Sequence, residues 1–274
     1  MKSIYSLCLS VLTAGLLLLS ACKKDDHPHG GGNQWQITKL VTHEGSLTWA
    51  DSAIFTYNHK GNPVKISRGL PATGAPDYLF RYDAPGRLQD YVGVYLGGIN
   101  FEFWTRYYYD AQGRVAGDTT YNFGVVGPNG PLPDPNAPPP YDQLYIGSTQ
   151  AYQYDNQNRI TAVLRTYNGG YSQIYQYDYN AAGNLEWFRA LDGQDHSLIY
   201  EVHYTVYDNK VNMHRTHPVW QLIDRNYSVN NPFIAETYNA KGLPLKIHEP
   251  VKLGAGNFIG VLYEHLDVTY KQCW

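Results

Sequence analysis

Two hydrophobic patterns divide the chain. Between Leu7 and Leu19 nearly every residue is apolar, behind the single positive charge of Lys2. A run of this length matches the hydrophobic region of a secretory signal peptide and is too short to cross a bilayer, so positions 1–21 read as a targeting segment. Further on, a short unit recurs: an aromatic, any residue, Tyr, Asp or Asn, two residues, Gly, Arg or Asn, then an aliphatic. Copies run from Phe55-Thr56-Tyr57-Asn58 to Gly61, Phe80-Arg81-Tyr82-Asp83 to Gly86, and Tyr107-Tyr108-Tyr109-Asp110 to Gly113. Others run from Tyr152-Gln153-Tyr154-Asp155 to Asn158, Tyr177-Asp178-Tyr179-Asn180 to Gly183, and Tyr238-Asn239 to Gly242. Tyr207-Asp208 is a degenerate copy, with Val211 where glycine is expected.

The spacing has a physical reading. Asp or Asn opens a type I turn by bonding its own backbone, and the residue three places later must take positive φ to close a bulged hairpin. Hairpin tips are therefore predicted at Asn58/Gly61, Asp83/Gly86, Asp110/Gly113, Asp155/Asn158, Asn180/Gly183 and Asn239/Gly242. Aromatics two apart share one face of a strand, so the repeats build an aromatic ladder. Turn positions 61, 86, 113, 158, 183, 211 and 242 lie 25 to 31 residues apart, save one gap of 45. Each period holds two strands of roughly ten residues. The predicted fold is all-β, an antiparallel up-and-down meander of repeated hairpins in a strongly curled or barrel-like sheet. The domain layout is a signal at 1–21, a flexible tether at 22–34 and one β-repeat domain at 35–274.

The long gap is an insertion at 123–141, whose many prolines are expected to forbid sheet pairing and leave an extended, exposed loop. Helix is expected only after His217, where Pro218 suits the first helical position and Val219, Trp220, Leu222 and Ile223 could cap one end of the sheet.

Composition supports a sheet: 26 tyrosines stand against 8 phenylalanines and 6 tryptophans, and tyrosine tolerates half-wet positions. A formal net charge of −3 offers no basic surface for nucleic acid. Of 3 cysteines, Cys8 leaves with the signal and Cys22 is expected to be acylated, as the motif resemblance below implies, so Cys273 is expected to have no partner and no disulfide to form within the mature chain.

No nucleophile elbow, phosphate-binding loop, zincin helix or EF-hand is present, and neither catalytic residue nor cofactor is predicted. His214 and His217 form an H-x-x-H pair without a third ligand at familiar spacing, and no metal site is assigned to it. His27 and His29 sit in the tether. Glu102, Asp118 and Glu186 cannot be paired into a catalytic dyad without distances.

Leu19-Ser20-Ala21-Cys22 resembles the bacterial lipobox, which implies cleavage after Ala21 and acylation of the Cys22 thiol. Lys24-Asp25-Asp26 resembles the export signal of Bacteroidota surface lipoproteins, implying outer-membrane anchoring with surface exposure. Asp51-Ser52-Ala53 and Asp118-Thr119-Thr120 are similar to O-glycosylation tripeptides of the same envelope. The Tyr-Asp-x-x-Gly-Arg unit resembles the tyrosine-aspartate repeats of Rhs proteins. With Tyr207-Asp208-Asn209, Asn230-Asn231-Pro232 and Tyr238-Asn239-Ala240-Lys241-Gly242, the chain resembles uncharacterised Bacteroidota lipoproteins with a porin-like β fold. Met213 departs from that pattern, where proline is expected. The resemblance implies fold and location but no chemistry.

The leading expectation is a non-catalytic, lipid-anchored surface module that binds a ligand, plausibly a glycan, on a tyrosine face including Tyr82, Tyr109, Tyr154 and Tyr177. The same rings could instead be core, each cross-strand pair adding about 0.2 to 1 kcal/mol. Alternatives are a structural envelope component with protein partners, as Rhs-type repeats enclose cargo, and an outer-membrane barrel. Against the barrel, Thr56, Arg81, Gln153 and Gln176 oppose the ladder and do not suit a lipid-facing band.

Overall fold

The computed structural model describes residues 35–43, 50–95, 97–139, 142–248 and 256–272. The lipidation and export residues Ala21, Cys22, Lys24, Asp25 and Asp26, the tether histidines and Cys273 lie outside them.

Eighteen strands are present among the described residues: β1 Trp35–His43, β2 Ala50–Tyr57, β3 Pro63–Arg68, β4 Asp77–Tyr82, β5 Leu88–Val94, β6 Asn100–Tyr109, β7 Val115–Val126, β8 Pro131–Leu132, β9 Ile146–Tyr154, β10 Ile160–Tyr167, β11 Ser172–Tyr179, β12 Leu185–Asp192, β13 Leu198–His203, β14 Thr237–Tyr238, β15 Pro244–His248, β16 Gly256–Phe258, β17 Val261–Tyr263 and β18 His265–Gln272. Sixteen form one antiparallel sheet in the order β13-β12-β11-β10-β9-β7-β6-β5-β4-β3-β2-β1-β18-β15-β14, with β8 beside β7. From β1 to β13 this is the predicted meander. The last long strand then returns to pair with the first, Leu40 facing Val268.

The strongly curled or barrel-like closure expected from the repeats is not found. Among the described strands β13 pairs only with β12 and β14 only with β15, so the ladder keeps two free edges. The physical reason lies after His203. The chain leaves the sheet, and residues from 213–235 and 258–263 cover the aromatic face, so that face is buried by a second layer rather than by rolling up.

Alternation and register put Leu40, Phe55, Ile66, Tyr78, Phe80, Tyr91 and Tyr107 on this covered face. Met213, Val219, Trp220, Phe233, Phe258 and Val261 pack on them as one buried cluster. Helix α1, Pro218–Asp224, begins as predicted with Pro218 at its first turn, and the His217 imidazole caps it by accepting from Val219 N at 3.2 Å. Rather than closing an end of the sheet, it lies across the face. Trp220 is fully buried, with ring centroids 5.6 Å from both Phe55 and Phe80.

Two further expectations are corrected. Tyr207-Asp208 is not a hairpin tip: Asp208 is buried and accepts from Asn231 N at 3.0 Å, Asn231 Nδ2 at 2.8 Å and the Tyr238 hydroxyl at 2.9 Å, locking the covering layer. Met213 belongs to the same network, since its N–H donates to Asn231 Oδ1 at 3.0 Å, a bond that proline could not make. The proline-rich insertion does pair: Val125 and Val126 prolong β7 and face Leu132 and Pro131 of β8. Pro131 sits in a short outer strand, where a missing N–H is tolerated. Arg81 donates to the carbonyl of Gly127 at 2.9 Å and Arg106 to that of Asn129 at 2.9 Å, drawing the loop over a small cluster of Val92, Val94, Phe101 and Trp104 on the second face.

Candidate ligand-binding face

Each repeat interlocks with the next. In Asp83-Ala84-Pro85-Gly86-Arg87, Gly86 N–H donates to Asp83 O at 2.9 Å, and the Arg87 guanidinium lies 2.7 Å from the Asp83 carboxylate. Asp110 with Arg114 and Asp155 with Arg159 repeat the pair. Burial raises the Asp155 pKa, but hydrogen bonds from the Arg159 backbone and side chain outweigh it and hold the carboxyl below its ordinary value. The turn-closing residues Gly61, Gly86, Gly113, Asn158, Gly183 and Gly242 all have φ between +60° and +90°. Asn58, Asn180 and Asn239 take the acid's place, each accepting two backbone N–H bonds.

The arginines reach onward to the following repeat: Arg87 stacks 4.2 Å over the Tyr109 ring, Arg114 4.9 Å over Tyr154 and Arg159 4.2 Å over Tyr179. The tyrosines reach back. Tyr57 donates to Ile37 O, Tyr82 to Pro63 O and Tyr154 to Val115 O, each at 2.8 Å, and Tyr109 to Leu88 O at 2.6 Å. Tyr207 makes the same bond to Leu185 O although its own hairpin is absent. Burial pushes the Tyr82 and Tyr109 hydroxyls up and the Tyr154 hydroxyl up to about 12. Tyr177 is buried in a cluster with Ile160, Val163 and Leu185. Of the four tyrosines expected to offer a ligand face, Tyr82, Tyr109 and Tyr154 thus bond the preceding hairpin, and Tyr177 packs in that cluster.

The same face changes character toward β13. Register carries it through Tyr152, Val163, Tyr175, Ala190 and Tyr200. Here an aromatic floor stands half-open: Tyr171 is 45% and Tyr200 50% exposed. Tyr167 and Tyr171 flank the turn Asn168-Gly169-Gly170, and their rings stack at 5.9 Å. Phe188 stacks on Tyr175 at 6.0 Å and meets Tyr200 at 5.7 Å. Gln173 fixes the polar edge: its Oε1 accepts from Tyr167 at 2.9 Å and Tyr175 at 2.6 Å, while its Nε2 donates to Tyr171 at 3.3 Å. Desolvation, with the Tyr175 hydrogen bond, lifts the Tyr167 pKa to about 12. Beside them the Arg165 guanidinium lies 4.5 Å over the Tyr167 ring.

At the inner end of the floor stands a polar knot. Asp118 is buried, accepts from Tyr152 and, at 3.2 Å, from Gln150 Nε2. Desolvation raises its pKa, partly offset by the Tyr152 hydrogen bond and the Arg225 charge. Arg225 ends α1 in the left-handed region at φ +52° and donates to Gln150 Oε1 at 2.5 Å, while its buried Nε has no hydrogen-bond partner. An aromatic floor bordered by an amide and guanidinium groups can pack ring faces against the C–H face of a polyhydroxylated ring and bond its hydroxyls.

The other sequence candidates have structural duties. His214 bridges Asn212 Oδ1 at 3.0 Å and Asp224 Oδ2 at 2.8 Å, while His217 caps α1, so the pair shares no ligand position. Glu102 accepts from Gly74 N–H at 2.9 Å. Ser52 and Thr119 lie inside paired strands. The floor residues Tyr171, Gln173 and Tyr200 were missed because they stand outside the repeat unit. Their signal is Tyr-Asn-Gly-Gly-Tyr, two aromatics bracketing the turn at the opposite end of the hairpin.

No family model and no curated protein matches the chain. Among solved structures it is similar to a porin-like protein from Bacteroides uniformis, over 88% of this chain and 98% of that one, at 9% identity and TM-score 0.42. It is also similar to part of the Photorhabdus luminescens Tc holotoxin pore, over 76% of this chain and 12% of that one, at 12% identity and TM-score 0.22. A third likeness, to the TcdB2–TccC3 complex, covers 76% of this chain and 13% of that one at 11% identity and TM-score 0.20.

Proposed function

We propose that the chain is a non-catalytic carbohydrate-binding protein, held to the outer surface of a bacterial outer membrane by acyl chains on Cys22. The observation that carries the binding reading is the half-open aromatic floor on a face that is elsewhere core. Tyr171 and Tyr200 supply planar apolar surface, and Gln173 and Arg165 supply directional bonds. The anchoring reading rests on Leu19-Ser20-Ala21-Cys22 and Lys24-Asp25-Asp26. Titration calorimetry against solubilised glycans tests the first: saturable binding is expected, weakened about tenfold or more in Tyr171→Ala and in Tyr200→Ala, as for truncated aromatic anchors. Glycan binding that ignores both substitutions refutes the site. Palmitate labelling of wild type but not Cys22→Ala tests the second.

A second reading, a scaffold component, is favoured by β13. This edge strand exposes Leu198 at 53% and Ile199 at 44% and leaves one row of backbone groups open to a strand from a partner protein. Copurification of a stable partner that is lost on replacing Ile199 by proline favours this reading over free ligand binding.

A further inference from the structure

On the opposite face, at the other end of the sheet, register aligns three imidazoles. His43 of β1 faces His265 of β18, and His265 faces His248 of β15. They alternate with the covered Leu266 and Ile247, and so point away from the core. Glu236, the residue just before β14, joins them, its N–H bonded to Lys246 O of β15 at 2.8 Å. One donor atom from each of Glu236, His248 and His265 lies within 4.8 Å of the other two, and the His248 and His265 rings are 3.9 Å apart.

We infer that Glu236, His248 and His265 form a binding site for a divalent transition ion of the zinc class. Two imidazoles and one carboxylate suit such an ion by donor type, whereas calcium or magnesium would demand more oxygen ligands. Ligand bonds of about 2.0 to 2.2 Å require donors somewhat closer than 4.8 Å, which rotation of exposed side chains supplies without moving the strands. Backbone pairing places His265 and His248, leaving little ordering to be done on binding. His43 stands across from His265 but turns to Asp267 at 3.7 Å and is outside the converging set, so water completes the coordination. The site uses neither the aromatic floor nor the repeat turns, and its three residues lie 12 to 29 positions apart in the chain.

The test is calorimetric titration of zinc chloride into the full chain carrying His27→Ala and His29→Ala, which removes the tether imidazoles. One zinc per chain is expected, with affinity about 100-fold lower in His248→Ala and in His265→Ala, and about tenfold lower in Glu236→Gln. X-ray absorption of the loaded protein should show a first shell of two imidazoles plus oxygen. Unchanged melting midpoints without metal check that the variants fold. Absence of stoichiometric binding, or binding unaffected by both histidine substitutions, overturns the assignment.

Discussion

Strands β2–β6 and strands β10–β13 present the same face of one sheet, yet one is sealed and the other is half-open. Over β2–β6, Trp220, Phe233 and Phe258 fill the space above Phe55, Phe80 and Tyr91, and the aromatics become core. Over β10–β13 the hydrophobic packing from beyond β13 comes from Tyr204, Leu222 and Tyr227 near the turn end, and Tyr171 and Tyr200 keep about half their surface. Aromatic residues on one sheet face thus become core or candidate binding surface according to what the chain lays over them. Tyrosine suits both fates, because its ring packs while its hydroxyl still finds a carbonyl, an amide or water.

The contrast can be broken most forcefully at Trp220. Trp220→Ala empties the centre of the covered region and should cost about 3 to 5 kcal/mol of unfolding free energy in urea titration, whereas Tyr200→Ala should cost well under 1 kcal/mol. Comparable costs would mean that the two regions are equally packed. Next in size is His217, whose burial lowers its pKa from 6.5 to about 4. The unfolded chain then binds the extra proton across that interval, so stability is complete above about pH 6.5 and falls as pH drops toward 4, by no more than roughly 3 kcal/mol. His217→Asn keeps a capping oxygen and should flatten that part of the stability profile while leaving glycan binding unchanged. Smaller again is Tyr109→Phe, which deletes the bond to Leu88 O and should cost about 1 kcal/mol. Smallest is Tyr171→Ala, expected to shift stability by about 0.5 kcal/mol while weakening glycan binding about tenfold.

The meander from β1 to β13 was legible because its information is local: an Asp or Asn and a positive-φ residue three places on specify each tip. The covering layer was not. Asp208 meets Asn231 across 23 positions and Asn184 meets Asn230 across 46, and such amide networks carry no periodicity. Up-and-down order of long strands predicts a curled sheet, and nothing in the spacing announces the layer that covers it instead. The return of β18 beside β1 joins chain positions too distant for any turn signal, Thr38 Oγ1 bonding Thr269 O across 231 residues. The repeat tyrosines were placed correctly on one face, but their hydroxyl contacts lie in the preceding hairpin, a relation that spacing alone leaves open. The insertion was misread because proline content marks unpaired backbone and does not register the two arginines beneath, Arg81 and Arg106, that hold its carbonyls.

The central claim is that a single aromatic face is closed over β2–β6 and open at β10–β13. Tyrosine iodination of the folded protein, read residue by residue by mass spectrometry, tests it most directly. Tyr171 and Tyr200 should label rapidly while Tyr91, Tyr107 and Tyr177 stay protected until the chain unfolds. Labelling of Tyr91 or Tyr107 as fast as that of Tyr171, or protection of all five alike, would contradict the account.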